Sequence, residues 1–169
     1  MNIWKNLSLT KVMFVVLVSL YFFYYASTST EWHFIDSINL IFHEAGHTLT
    51  FFFGQFISIA GGSLFQILIP ILCCLYFYKE KEYYSASLLL FWVGQNLINV
   101  SVYAGDAIIM QLPLLGGDGV IHDWNYLLSS LGILKYTPYV ADIFYFIGIA
   151  VLVLALYFSI ITSKKLIEG

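Results

Sequence analysis

Residues 36–53 read DSINLIFHEAGHTLTFFF, apolar enough to belong in a bilayer yet carrying Asp36, Asn39, His43, Glu44 and His47. His43-Glu44-Ala45-Gly46-His47 is an H-E-x-x-H. On a helix, residues i and i+4 project from one face roughly 6 Å apart, which suits two imidazole nitrogens meeting one zinc ion. Glu44 directly follows the first histidine, and in zinc hydrolases that residue accepts a proton from the attacking water. Three ionisable groups within five residues of an apolar helix are costly without compensation. No lysine lies in the segment to neutralise Glu44, whereas a divalent cation supplies both charge and bonding partners. The plainer alternatives are histidines that only bond neighbouring helices, or a non-hydrolytic metal or haem site. Asp36, Asn39 (or Leu40), His43 and His47 recur at helical spacing, so this polar stripe must face the protein interior.

Composition agrees with a bilayer setting. Of 169 residues, 60% are hydrophobic and 10% charged, against roughly 45–50% and about 25% in soluble domains. An aromatic content of 19% excludes disorder. All seven basic residues are lysines, with no run longer than two, so the positive patch that nucleic acid requires is missing. The net charge of −3 implies no partner. At about 20 residues per span, the chain holds four to six transmembrane helices in a single domain, residues 1–169. The fold class expected is therefore an all-α, multi-pass integral membrane protein, and the expected location is a prokaryotic cell membrane.

Outward from the motif, a first segment runs from Val12 to Ala26 behind Lys5 and Lys11. It reads as an uncleaved anchor helix rather than a signal peptide. The motif segment closes at Gly54. A third segment begins after Gly61-Gly62 and runs to Tyr78, a fourth covers Tyr84 to Leu112, and a last one covers Tyr139 to Thr162. Between the last two lie the turn-rich LPLLGGDGVIHDW and a short amphipathic piece, Asn125 to Leu134. If the motif segment crosses only partly, four spans bring both lysine-bearing ends and Lys79/Lys81 to one side, the count that the positive-inside rule prefers. Cys73 and Cys74, adjacent in an apolar run, read as small buried hydrophobes. Glu44, Asp106 and Asp142 lie in apolar surroundings, which makes each a functional candidate.

A hydrolytic zinc site uses three protein ligands and one open position, so a third ligand must come from elsewhere. Asp118, His122 and Asp123 in the glycine-rich loop are candidates, as is Asp106. Asp106 continues a stripe with Gln95, Asn99 and Tyr103 that is suited to hydrogen-bonding the ligands or lining a polar cleft. For Asp123 the competing role is an N-cap to the helix that follows.

HEAGH on an apolar helix, Gly54 seven residues on, and Gly61-Gly62 before an apolar helix with Pro70 resemble the site-2 protease group. These are intramembrane zinc metalloproteases of the M50 type, including the smaller M50B-like proteins. Their later N…P-x-x-x-x-D-G segment is matched by Asn99 and by Leu112-Pro113-Leu114-Leu115-Gly116-Gly117-Asp118-Gly119. The resemblance, which covers roughly residues 35–120, implies His43, His47 and Asp118 as zinc ligands and Glu44 as catalytic base. Two departures stand out. The asparagine lies far upstream of the proline, and His122-Asp123-Trp124 adds a second histidine and carboxylate, which keeps His122 and Asp123 open as the third ligand.

The expectation is a zinc-dependent metallopeptidase that cleaves membrane-spanning or membrane-proximal substrates, with glycines near Gly61 and Gly116 leaving backbone free for strand-like pairing. Two other readings are a zinc-dependent membrane hydrolase of lipids or small amides, and a non-enzymatic subunit that holds structural zinc through four ligands.

Overall fold

The computed structural model describes residues 7–113 and 120–164. They form six α-helices and no strand: α1 (Leu9–Ser27), α2 (Phe34–Thr50), α3 (Gln55–Lys79), α4 (Tyr83–Gly105), α5 (Asp123–Ser130) and α6 (Thr137–Thr162). Single 3₁₀ turns at Phe51–Phe53 and Leu134–Tyr136 complete the order. Four segments are long and apolar enough to cross a membrane: α1, α3, α4 and Leu134–Thr162. Backbone polarity explains the choice of structure, since a helix satisfies every N–H and C=O internally where water is absent.

The 17-residue α2 is not among the four. Asp36 near its start bonds Asn99 of α4. Thr50 at its end packs on Gly61 of α3, five residues before Gln66, which also bonds Asn99. The two ends of α2 therefore lie in the same half of the bundle. At the opposite end, Ser8 N–H donates to the Ser163 carbonyl at 2.7 Å, and the Tyr84 hydroxyl donates to the Lys11 carbonyl at 3.0 Å. The start of α1, the end of α6 and the α3–α4 turn thus meet, which gathers Lys11, Lys79, Lys81 and Lys164 on one side. This is the lysine arrangement expected of a four-span chain.

Several boundaries differ from expectation. Helix α3 begins at Gln55, not after Gly61-Gly62. Those glycines act inside a helix by permitting close approach: a Cβ on Gly46 would collide with the Gly61 carbonyl, and one on Gly61 with the Thr50 hydroxyl. Small residues at such crossings let membrane helices pack backbone to backbone. The Gly61 backbone is thus enclosed between α2 and α3 and is not free for strand-like pairing, while Gly116 lies outside the described residues. Helix α4 stops at Gly105 instead of reaching Leu112. There the Asp106 carboxylate captures the Gln111 and Leu112 N–H groups, each at 2.9 Å. Helix α5 starts at Asp123 rather than Asn125. Cys73 and Cys74 are free and only half-buried, the Cys74 thiol donating to the Ala86 carbonyl.

The apolar core lies where α1, α4 and α6 meet, around Tyr25, Ala26, Phe91, Ile98, Leu152 and Ala155. Gly94 and Gly148 set the α4–α6 crossing. A Cβ at Gly148 would lie 2.7 Å from Ile98 Cγ1 and 2.9 Å from the Gly94 carbonyl oxygen. Gly148→Ala should therefore force the helices apart and destabilise by about 1–3 kcal/mol, the usual cost of overpacking. Thermal unfolding in detergent reads this as a lowered midpoint, and an unchanged midpoint would show a looser crossing.

Candidate metal centre

Helix α2 turns Asp36, Asn39 and His43 into the bundle, all buried, as the helical spacing of this stripe requires. His43 Nε2 lies 2.9 Å and His47 Nε2 3.2 Å from the same oxygen, Asp123 Oδ2. His43, His47 and Asp123 are the metal-capable cluster among the described residues, their ligand atoms all within 4.8 Å of one another. Ligands at zinc bond lengths of 2.0–2.2 Å in a tetrahedron stand about 3.3–3.5 Å apart. The observed 2.9 and 3.2 Å fall within a few tenths of that.

Hydrogen-bond polarity shows what the cluster lacks. His47 Nδ1 faces the Ser58 carbonyl at 2.9 Å, and a carbonyl only accepts, so Nδ1 carries the proton. His43 Nδ1 faces Gln66 Oε1 at 3.2 Å and carries its proton likewise. Both Nε2 atoms then present lone pairs toward a carboxylate oxygen. Three acceptors converge, and the arrangement calls for an added proton, on an imidazole or on the carboxyl, or for a metal ion.

Room for an ion comes from α3. A Cβ on Gly62 would lie 2.6 Å from His47 Nε2 and 2.7 Å from His43 Nε2. Glycine at this position leaves that cradle free. Ser58, Gly62 and Gln66 follow one another at four-residue steps, so one face of α3 supplies the carbonyl, the gap and the amide that frame both histidines. The sequence reading overlooked this row, although Gln66 breaks an otherwise apolar run and lies four residues after a glycine.

The remaining sequence candidates fall as follows. Glu44 is exposed and lines a cavity of about 700 Å³ with His43, His47 and Asp123. Trp32, Tyr103 and Ile121 also border this cavity. Asp118 lies outside the described residues. His122 turns away from the cluster: its Nε2 lies 3.2 Å from Asp106 Oδ2 and its Nδ1 accepts from Asn125 N–H. It is His122, then, that caps α5 in the role considered for Asp123. Asp123 occupies the first helical position instead, its N–H donating to the Tyr103 hydroxyl at 3.1 Å. Asp106, bound to His122 and the 111–112 backbone, anchors the loop rather than a metal. Asn99 reaches the site indirectly, through Gln66. Asp142 is exposed in the second turn of α6 and outside the cluster. Comparison with family models, curated proteins and solved structures finds no match for this chain.

Gly62→Ala should fold, because alanine suits a helix, yet it should lose metal binding through the methyl group placed against both Nε2 atoms. Helical circular dichroism together with metal content after dialysis against zinc tests this. Undiminished zinc would show that the ion sits elsewhere.

Proposed function

We propose that this chain is an intramembrane zinc metallopeptidase of the site-2 protease kind. His43, His47 and Asp123 would hold the ion and Glu44 would serve as catalytic base. The observation that carries this reading is the convergence of both bare Nε2 lone pairs and Asp123 Oδ2 on one point that Gly62 leaves open. Zinc in such a site supplies Lewis acidity and brings a water to a pKa of about 7. A carboxylate ligand suits the charge balance, since Asp123 and Glu44 together offset a divalent cation in apolar surroundings. Three ligands among the described residues fit a site with a position left for chemistry, which favours an enzyme over a structural clip.

The protein groups around the ion divide the remaining work. Glu44 faces the cavity beside the histidines and accepts a proton from the attacking water, then returns it to the leaving amine. His43 and His47 keep their orientation through the Gln66 and Ser58 contacts. Gln66, the partner of His43, lies eleven residues into α3, about 16 Å along the helix axis, so the chemistry would take place at membrane depth. Substrates reaching it would be membrane-spanning or membrane-proximal segments, locally unwound to expose a carbonyl.

Glu44→Gln should retain zinc and lose hydrolysis of membrane peptides by several orders of magnitude, since the amide keeps the shape but cannot take the proton. Turnover near wild type in that variant removes Glu44 from the mechanism. His43→Ala and His47→Ala should each lose the metal. Unchanged zinc content in both would place the site elsewhere.

The third ligand is decided by a paired measurement. Asp123→Ala should cost most of the zinc affinity, and Asp118→Ala should leave it within about tenfold of wild type. The reverse order would assign the position to Asp118.

A further inference from the structure

We infer that Asp36, two helical turns before His43, is a positioning residue that fixes which nitrogen of His43 carries the proton, acting through Asn99 and Gln66. This rests on the metal-site reading for its purpose but not for its geometry.

Asp36 is 3% exposed, and both its oxygens are saturated by donors. Oδ1 accepts from the Tyr25 hydroxyl at 2.9 Å, Gln95 Nε2 at 3.0 Å and Asn99 Nδ2 at 3.0 Å. Oδ2 accepts from the His33 backbone N–H at 2.8 Å. Three of these four donors are N–H groups, which cannot accept, so both oxygens of Asp36 serve as acceptors.

Two chains of amides end on it. In the first, the Trp92 indole N–H donates to Asn39 Oδ1 at 2.9 Å, Asn39 Nδ2 donates to Gln95 Oε1 at 2.8 Å, and Gln95 Nε2 donates to Asp36. An indole can only donate and a carboxylate can only accept. Both ends of this chain therefore dictate the same amide orientations, and Asp36 is its electron-rich terminus.

The second chain starts at the metal centre. Asn99 presents its NH₂ to Asp36, which turns Asn99 Oδ1 toward Gln66. Gln66 Nε2 donates to that oxygen at 2.6 Å, which turns Gln66 Oε1 toward His43 Nδ1 at 3.2 Å. Each amide can flip in isolation, but a chain anchored on a carboxylate cannot. Its one consistent polarity places a proton on His43 Nδ1 and reserves Nε2 for the ligand position. Outer partners of metal-bound histidines typically change metal affinity by 10–100-fold. Here the decisive partner lies three hydrogen bonds away.

The test uses histidine-selective ¹⁵N spectra of the full-length, metal-free protein in detergent, together with zinc titration. In wild type, His43 Nδ1 should be protonated. Asp36→Leu removes the acceptor on which the chain ends, so Asn99 can turn over and the chain can reverse. Gln66 then offers its NH₂ to Nδ1, and the His43 proton moves to Nε2, where it bonds Asp123. Zinc affinity should fall 10–100-fold.

Adding Gln66→Glu to Asp36→Leu restores an obligate acceptor beside His43 and should return the proton to Nδ1. Gln66→Met, which cuts the chain at its last link and leaves Asp36 in place, should also shift the proton to Nε2. It serves as the second variant should Asp36→Leu fail to fold. Retention of the Nδ1 proton in whichever of Asp36→Leu and Gln66→Met folds overturns the relay, whatever the zinc affinity. Absence of zinc binding by wild type would instead remove the metal-site reading, with the ¹⁵N result still deciding the relay.

Discussion

Burying a carboxylate in an apolar bundle is expensive unless donors surround it, and Asp36 is buried with four of them. Those donors come from three parts of the chain: Tyr25 in α1, Gln95 and Asn99 in α4, and the His33 backbone at the start of α2. Satisfying one side chain thus pins α2 against α1 and α4, and through Asn99 and Gln66 it also ties α3 to the group. The amides behind Asp36 inherit their direction from it. The two amide chains that end on it, Trp92–Asn39–Gln95 and His43–Gln66–Asn99, thus each run in one direction.

The second organising device is the absence of side chains. Gly46 with Gly61, and Gly94 with Gly148, bring pairs of helices to backbone contact. The gap at Gly62 opens on the histidines. The α2–α3 crossing depends on the first pair, and the space beside both Nε2 atoms on the residue next to it, so adjacent glycines serve the crossing and the cluster separately. The α4–α6 pair meets α1 in the apolar core around Phe91, Ile98, Leu152 and Ala155, and the histidines lie on the α2–α3 side of the bundle.

Much of the fold was legible in the sequence because apolar runs punctuated by lysines leave few alternatives in a membrane. The helices are where those runs lie, and the lysine distribution already favoured four spans. The inward stripe of Asp36, Asn39, His43 and His47 was readable from spacing alone. Boundaries that depend on tertiary contacts were not. Gly61-Gly62 looks like a helix start in isolation, and only the packing of α2 shows why glycine sits inside α3. Asp106 looks like part of a continuing helix until its carboxylate is seen holding the 111–112 backbone. The loop acids were separable only in three dimensions: His122 and Asp123 are neighbours in sequence, yet His122 points to Asp106 and Asp123 to the histidines. Which of them reaches α2 depends on a cap that sequence spacing assigned to the wrong residue.

The contact between His43 and Asp123 joins residues 80 positions apart, and this separation bears on timing. A nascent chain inserted only as far as α3 already holds both histidines, Glu44, Gly62 and Gln66. It still lacks the carboxylate opposite them, as well as Asn99, which orients Gln66. The centre is thus divided between the early and late parts of the chain, with neither half sufficient. On the function proposed, hydrolytic competence would arise only once α5 has joined α2 and α3, after the helices that carry the histidines and Gly62 are already in the bilayer.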